Sequence, residues 1–197
     1  IELSGIGALL KLIEDRKKKL KAKGIFDEEK KKKIPYIPKK IGVITSPTGS
    51  VIHDIINRIK NRFPTNIDLW PVQVQGNDSC EMIIRAINGF NHMKQDEKPD
   101  VIIVARGGGS PEDLMSFNDE SLALSVYDSN IPIISAIGHE TDTTIIDYVA
   151  DIRASTPTAA AEIVVPVRSE IIKILLNINQ RMVFLINGRI ENIRNYF

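Results

Sequence analysis

The sequence predicts an α/β protein built on an open, doubly wound and mostly parallel β-sheet. Apolar runs of strand length alternate with helical patterns between residues 40 and 150, an order that is typical of parallel sheets. The third run, Val101-Ile102-Ile103-Val104, is apolar at every position, as expected for a strand that helices cover on both faces. The 197 residues are 43% hydrophobic, which is enough to bury a sizeable core.

We predict a central α/β domain at 39–166, between an N-terminal segment at 1–38 and a C-terminal helix at 167–197. The apolar runs give the strands, and helical periodicity marks the segments between them. Strands are expected at 40–45, 67–74, 101–105 and 131–136, and helices at about 48–61, 79–93, 119–127 and 143–150. Another helix is expected to start at Thr156, because Pro157 favours the first helical turn.

The N-terminal segment is predicted to form a basic amphipathic helix followed by a linker. Apolar residues recur near helical spacing from Ser4 to about Lys23, and Gly24 follows as a stop signal. The linker is a lysine-rich run that ends in Pro35 and Pro38. Residues 16–40, the basic tract, hold 12 Lys or Arg and three acidic residues. The rest of the chain is therefore acidic, and the net charge of +1 conceals this uneven distribution.

The last 30 or so residues predict a long helix of coiled-coil type. Its apolar residues recur mostly at three- and four-residue steps, the pattern of a helix seam that needs a partner. They are Ile171, Leu175, Ile178, Met182, Leu185, Ile190, Ile193 and Phe197. A partner-seeking helix, with self-association as one outcome, is favoured over a helix that packs on the sheet.

Several features of composition indicate a cytoplasmic protein. A single cysteine, Cys80, excludes an intrachain disulfide and a cysteine-built zinc site. No apolar run approaches the roughly 20 residues of a membrane span, and no signal-peptide pattern opens the chain. Because the chain starts at Ile1 and stops inside a helical pattern, we interpret it as part of a longer protein.

The loops that leave the strands are the places to look for a site, since ligands of parallel α/β sheets bind at the carboxyl ends of the strands. The first strand runs into Ser46-Pro47-Thr48-Gly49-Ser50. Its hydroxyls and the following helix amides can hold an anion. By itself, however, this motif favours a Ser/Thr helix cap with a tight turn.

The third strand leads into Arg106-Gly107-Gly108-Gly109-Ser110. Three glycines allow a close backbone approach to a ligand, and the arginine fork suits a phosphate. The motif is neither a Walker P-loop nor a dinucleotide-binding fingerprint, because the required Gly-Lys-Ser/Thr and G-x-G-x-x-G spacings are missing. We favour a functional site here over a plain glycine-rich turn.

The fourth strand leads into a polar segment from Gly138 to Asp147 that contains His139 and Asp142. Histidine titrates near neutral pH and can move protons, and a nearby carboxylate can fix its tautomer or activate water. The zincin pattern fails for lack of a second histidine. The structural alternatives are a helix N-cap for Asp142 and a solvated helix face for Asp147, and the residues alone do not decide.

Together these motifs resemble the large subunit family of exodeoxyribonuclease VII. The resemblance lies in 41–49, in the run from Arg106 through Asp113-Leu114 to Phe117-Asn118, in 138–142 and in 151–162. It implies hydrolysis of single-stranded DNA from its ends to short oligonucleotides. It also implies an OB-fold domain ahead of this region in the family, and an extended C-terminal helix that binds copies of a small helical subunit.

The resemblance assigns four polar residues to catalysis: Asp54, Arg106, His139 and Asp142. Arg106 and the amides of Gly107, Gly108, Gly109 and Ser110 would stabilise charge on the phosphate, with Ser46 and Thr48 as further contacts. His139 would transfer a proton. Asp142 would orient His139 or activate water, and Asp54 would act as a second base, an orienting group or a metal ligand. A divalent ion such as Mg²⁺ suits Asp54 and Asp142, and the sequence leaves metal dependence open.

Two other functional classes compete with a nuclease. A phosphate- or nucleotide-binding α/β domain without nuclease activity would use the Arg106 loop only to hold a phosphate. A helical interaction module with an inert core would leave Arg106, His139 and Asp142 without a role. For the basic tract, contact with the DNA backbone competes with a solvated helix face.

Overall fold

The computed structural model of the protein describes residues 2–110, 112–138 and 142–196. The chain divides into two compact units, Ile1–Val165 and Pro166–Phe197. Among the described residues, no helix combines the length and the apolar character that a membrane span requires.

The first unit contains one five-stranded sheet in the order β2-β1-β3-β4-β5, and all of its neighbouring strands are parallel. The predicted α/β class is therefore confirmed. The strands are β1 (Lys40–Thr45), β2 (Asn66–Pro71), β3 (Val101–Arg106), β4 (Ile133–Ile137) and β5 (Ile152–Arg153). The helices are α1 (Glu2–Ala22), α2 (Ser50–Arg62), α3 (Ser79–His92), α4 (Glu120–Tyr127), α5 (Ile145–Val149) and α6 (Pro157–Val164), with 3-10 turns at Glu28–Lys30 and Met115–Asn118.

Three details of the predicted sheet differ from the structure by more than one residue. The second strand ends at Pro71, short of the expected residue 74, because its pairing partner β1 ends at Thr45. The fourth strand is shifted to Ile133–Ile137. The two-residue strand β5 was not predicted, since so short a pairing carries no periodic signal.

Helices cover both faces of the sheet, and alternate residues of each strand enter two separate cores. In β3, Ile102 and Val104 pack into a core with α3, α4, α5 and Leu20 of α1. Val101 and Ile103 pack into the other core, with α2 and α6. This two-sided burial explains why the strand is apolar at every position.

Much of the basic tract is held by ion pairs to the body of the first unit. The ammonium groups of Lys19 and Lys23 lie 2.7 and 3.0 Å from the carboxylate of Glu120, at the start of α4. Hydrogen bonds from these two lysines hold the pKa of Glu120 below its usual value. The ammonium of Lys17 lies 4.1 Å from the centre of the Tyr148 ring. The charge asymmetry of the sequence therefore also serves to dock α1.

The second unit is formed by α7 (Arg168–Arg194). None of the described residues of α7 is buried. Large apolar side chains along it are exposed, among them Phe184 at 77%, Leu185 at 65% and Leu175 at 58%. A long C-terminal helix is thus present as predicted, and its apolar surface is extensive.

Candidate functional site

The strand order places a crevice between β1 and β3. After β1 the chain continues to β2 on one side of β1, and after β3 it continues to β4 on the opposite side. Ligands of parallel α/β sheets bind at such a switch point, beyond the carboxyl ends of the two strands. A cleft of about 540 Å³ lies at this position. Its walls come from the loops after three strands: Thr45, Ser46, Gly49, Ser50 and Val51 after β1, Gln73, Val74 and Gln75 after β2, and Arg106, Gly107 and Gly108 after β3. The loops after the first and third strands therefore meet in one cleft, as the carboxyl-edge rule for parallel sheets leads one to expect.

Arg106 is the last residue of β3, and only 5% of it is exposed. Its Nη2 lies 3.2 Å from Oδ2 of Asp113, and its Nη1 donates to the carbonyl of Gly107 at 3.3 Å. The same Asp113 oxygen accepts the amide of Ser110 at 3.2 Å. One carboxylate therefore fixes both the arginine and the glycine-rich loop.

The glycine at position 109 is required by the arginine. A Cβ on Gly109 would lie 2.2 Å from Nη1 and 2.3 Å from Nη2 of Arg106, well inside contact distance. The loop backbone thus lies directly against the guanidinium. Gly107 is less restricted, since its Cβ would meet only the Val51 side chain, at 3.4 Å. That approach brings the loop next to the start of α2.

The start of α2 lies at the cleft without a side-chain cap. Gly49 occupies the N-cap position, and no side chain bonds to the first helical amides. The hydroxyls of Ser46 and Thr48 lie 3.4 Å from each other instead. The Ser/Thr helix cap expected for this motif is therefore wrong. Uncapped amides and the positive end of the helix dipole favour an anion at this place.

Asp142 lies at the neighbouring strand end. The amide of Gly138, just after β4, donates to the carbonyl of Arg106 at 3.0 Å. Gly138 has φ +68°, and a Cβ on it would lie 2.8 Å from Asp142 Oδ2. The backbone carbonyl of Asp142 accepts from Arg153 at 3.2 Å. The loops that contain Arg106 and Asp142 thus leave the adjacent strands β3 and β4 at the carboxyl edge of the sheet.

Two structural alternatives for this segment are wrong. The N-cap of α5 is Thr144, so Asp142 does not cap that helix. Asp147 does not lie on a solvated face, because only 5% of it is exposed. Its carboxylate accepts the hydroxyl of Ser135 at 2.6 Å and the amide and hydroxyl of Thr144 at 2.7 and 2.9 Å. These bonds compensate the burial of the charge.

Of the predicted catalytic residues that the structure describes, Arg106 lines the cleft, and Asp54 and Asp142 do not. Asp54 is exposed on α2, one helical turn beyond Ser50, and is not among the residues that line the cleft. His139 lies outside the described residues, so its catalytic role stays a prediction. Within the described part of the chain, no group of three or more His, Cys, Asp or Glu side chains is arranged to hold a metal ion.

Sequence reasoning missed two parts of the cleft. Gln73 and Gln75 line its third wall, in the loop after the edge strand β2. Their signal was present in principle, because a strand that pairs with β1 must end beside the β1 loop. Asp113 was quoted only as part of a motif. Its pairing with Arg106 depends on the turn between them, which spacing alone does not reveal.

The fold and the cleft define a class of protein: a parallel α/β protein with an arginine, a glycine-rich loop and an open helix N-terminus arranged as in anion-binding sites. The chain belongs to the family described as exonuclease VII, large subunit, whose family model matches residues 25–197.

Proteins named exodeoxyribonuclease 7 large subunit are similar to this chain over most of its length. The one from Anaplasma marginale (strain Florida) is 61% identical over 170 residues, which cover 86% of this chain and 42% of that protein. The one from Bartonella henselae is 56% identical over 185 residues, 92% of this chain and 39% of that protein. The one from Agrobacterium fabrum is 52% identical over 197 residues, 98% of this chain and 37% of that protein. This chain thus spans about two fifths of the length of these relatives.

Proposed function

We propose that this chain is the catalytic region of an exodeoxyribonuclease VII large subunit, which hydrolyses phosphodiester bonds of single-stranded DNA from the ends and releases short oligonucleotides. The observation that carries the proposal is the buried Arg106 guanidinium beside the open N-terminus of α2. Both features favour a phosphate in the same cleft. Family membership and the names of the relatives support the same activity.

In this mechanism Arg106 and the amides of Gly107, Gly108 and Gly109 stabilise the negative charge that grows on the phosphate oxygens. A preorganised donor of this kind is commonly the largest catalytic contribution in such sites. The amide of Ser110, also expected from the sequence to contact the phosphate, donates to Asp113 instead and holds the loop in place. The ion pair with Asp113 holds the guanidinium in place, so little reorganisation is needed during the reaction. Ser46 and Thr48 contact the neighbouring phosphate from the β1 side.

His139 transfers a proton, and Asp142 orients His139 or activates the attacking water. Support for this pair comes from the position of Asp142, since Gly138 ties its loop to the carbonyl of Arg106. Asp54, one turn along α2 from the cleft, acts as a second base, an orienting group or a metal ligand. Metal dependence is left open; if a divalent ion such as Mg²⁺ takes part, Asp54 and Asp142 are the carboxylates that would hold it, and it would polarise a phosphate oxygen or a water.

The exposed apolar residues of α7 support the proposal that this helix binds a helical partner. We propose that α7 is the start of a coiled-coil arm that binds the exodeoxyribonuclease VII small subunit, with self-association of α7 as a second outcome. Residues 39–166 are then the catalytic domain, and 1–38 is a basic segment that approaches the DNA backbone. We propose a cytoplasmic location for the assembly.

The decisive experiment incubates the full-length protein and its small subunit with end-labelled single-stranded and duplex DNA, with and without a chelator. Short labelled products from single strands are expected, and the chelator arm decides whether a divalent ion takes part. Tight binding of mononucleotides without strand hydrolysis would instead establish the phosphate-binding alternative.

Variants of the proposed catalytic residues sharpen this assay. His139→Ala and Asp142→Ala should each lower strand hydrolysis by roughly a hundredfold or more, the range of lost proton transfer or charge stabilisation. The matched controls are His92→Ala and Asp96→Ala, since both residues are exposed and lie between the start of α3 and β3, away from the cleft. Hydrolysis by His139→Ala at the rate of His92→Ala would refute the proton-transfer role.

A further inference from the structure

The segment after the Arg106 loop ends in a buried asparagine. Asn118 closes the 3-10 turn Met115–Asn118, and only 4% of it is exposed. Its Nδ2 donates to the carbonyl of Leu114 at 3.3 Å. Its Oδ1 accepts the amide of Ile145 at 2.9 Å, across 27 positions of the chain. The side chain is therefore bonded to two different segments of the site.

The bond to Ile145 reaches the end of the Asp142 loop. Ile145 is the first residue of α5, and the first amides of a helix have no partner within the helix. Oδ1 of Asn118 satisfies this one. The preceding residue, Thr144, is held by Asp147 of the same helix. Of these two anchors, Asn118 is the one that comes from the segment of Arg106.

The two loops are therefore tied at both ends. At the start of the Asp142 loop, the amide of Gly138 bonds to the carbonyl of Arg106 at 3.0 Å. At its end, Ile145 bonds to Asn118, and Leu114 connects Asn118 back to the turn that holds Asp113. A closed path of hydrogen bonds and short chain segments thus joins the arginine to the carboxylate loop.

We propose that Asn118 is a positioning residue that fixes the separation of the Arg106 and Asp142 loops. The inference rests on the proposed function, in which both loops act on one phosphodiester. Catalytic groups that must meet the same atoms are sensitive to small displacements, and a shift of about 1 Å can cost about a hundredfold in rate. The described side-chain hydrogen bonds of Asn118 go to Leu114 and Ile145, to which no chemical step is assigned, so its effect is on the placement of the loops.

The chain contains a matched control for this asparagine. The Nδ2 of Asn91 donates to the carbonyl four residues earlier, that of Ile87, at 2.8 Å. Its Oδ1 accepts the amide of Asn130 at 2.8 Å. Asn91 therefore makes the same two kinds of bond as Asn118, and its Nδ2 donates in addition to Oγ of Ser129 at 3.0 Å. It is half-buried and holds the loop that enters β4, at the amino edge of the sheet, opposite the cleft.

The test compares Asn118→Leu, Asn118→Asp and Asn91→Leu in the full-length protein with its small subunit, on end-labelled single-stranded DNA. Both leucine variants should lower the melting temperature, because each leaves a backbone amide without its partner. Only Asn118→Leu should lower kcat, by roughly 10- to 100-fold with KM changed less than about threefold. Asn118→Asp keeps an acceptor for Ile145 but loses the donor to the carbonyl of Leu114, so it should recover part of kcat.

A purely structural role for Asn118 predicts a different order. Turnover would then follow the melting temperature, Asn118→Asp would be no better than Asn118→Leu, and Asn91→Leu would be equally impaired. Any of these results, or parental kcat in Asn118→Leu, overturns the inference while the proposed function stands.

Hydrogen exchange separates the inference from the proposed function. Asn118→Leu should accelerate amide exchange in residues 142–147, and Asn91→Leu should leave that segment unchanged. If the parent protein fails to hydrolyse DNA, the proposed function is refuted. Unchanged amide exchange at 142–147 in Asn118→Leu would, independently of that result, refute the coupling of the two loops.

Discussion

The guanidinium of Arg106 and the carboxylate of Asp113 lie 3.2 Å apart, in a pair whose arginine side chain is 6% exposed and whose aspartate side chain is 42% exposed. The charge of the arginine is thus enclosed by protein, while its counter-ion reaches solvent. The carboxylate of Asp113 also accepts a hydrogen bond from the amide of Ser110. A single side chain thus sets the orientation of the arginine and of the glycine-rich loop at 107–110.

The planar fork of Arg106 should matter more than its charge. Arg106→Lys keeps a positive charge that can pair with Asp113, but it loses bidentate geometry toward a phosphate. We expect strand hydrolysis to fall by roughly 10- to 100-fold, with a smaller loss of single-strand affinity. The control is Arg85→Lys, in an exposed pair with Glu81 on α3. Parental turnover in Arg106→Lys would show that charge alone suffices.

A methyl group at position 109 should displace the arginine and leave the fold intact. In Gly109→Ala the new Cβ would overlap the guanidinium of Arg106, which is the far end of a flexible side chain and can move aside. We expect hydrolysis to drop at least tenfold while the melting temperature stays near that of the parent. Gly7→Ala is the control, because a Cβ there meets nothing within 4 Å. Equal activity of the two variants would contradict the close contact between loop and arginine.

Gly138→Ala, compared with a second glycine of similar conformation, should distinguish a loss of stability caused by backbone strain from a loss of activity caused by displacement of Asp142. Gly138 has φ +68°, which costs an alanine about 1–2 kcal/mol, and its Cβ would lie 2.8 Å from both Cβ and Oδ2 of Asp142. Gly24→Ala is a close control, with φ +69° and a Cβ 2.8 Å from Asp27 Oδ2. Both variants should lose stability in thermal denaturation, Gly138→Ala the more because Cβ of Asp142 cannot swing aside, and only Gly138→Ala should lose hydrolysis. Comparable activity in both would remove Asp142 from the proposed site.

The basic tract allows a comparison of paired with unpaired lysines on α1. Lys19 and Lys23 are paired with Glu120, whereas Lys18 and Lys21 are exposed and make no ion pair among the described contacts. If α1 approaches the DNA backbone, replacing Lys18 and Lys21 with alanine should flatten the salt dependence of single-strand binding by about 1.4 in log–log slope. The double variant of Lys19 and Lys23 should change the slope less. Unchanged affinity and slope for both would support a solvated helix face.

How far the sequence predicted the site varies from residue to residue. Arg106 and its glycines were found because an arginine before three glycines directly follows a fully apolar strand. The meaning of Asp147 was missed, since its burial depends on Ser135 of β4, which lies 12 positions away. The helix cap at Ser46–Gly49 was wrong for a similar reason: local propensity favours a hydroxyl cap, and the backbone path places Gly49 at the cap position.

The sequence by itself determined the fold class, the strand β1 and the loops at which the first and third strands end, because these depend on local periodicity and on the carboxyl-edge rule of parallel sheets. The tertiary structure alone decided the pairings, with Asp113 against Arg106, Asn118 against Ile145, and Gln73 and Gln75 along the third wall of the cleft. Each of these contacts joins two segments that strand order and helix packing bring together. The number of residues between the segments does not predict how close they lie in the folded protein.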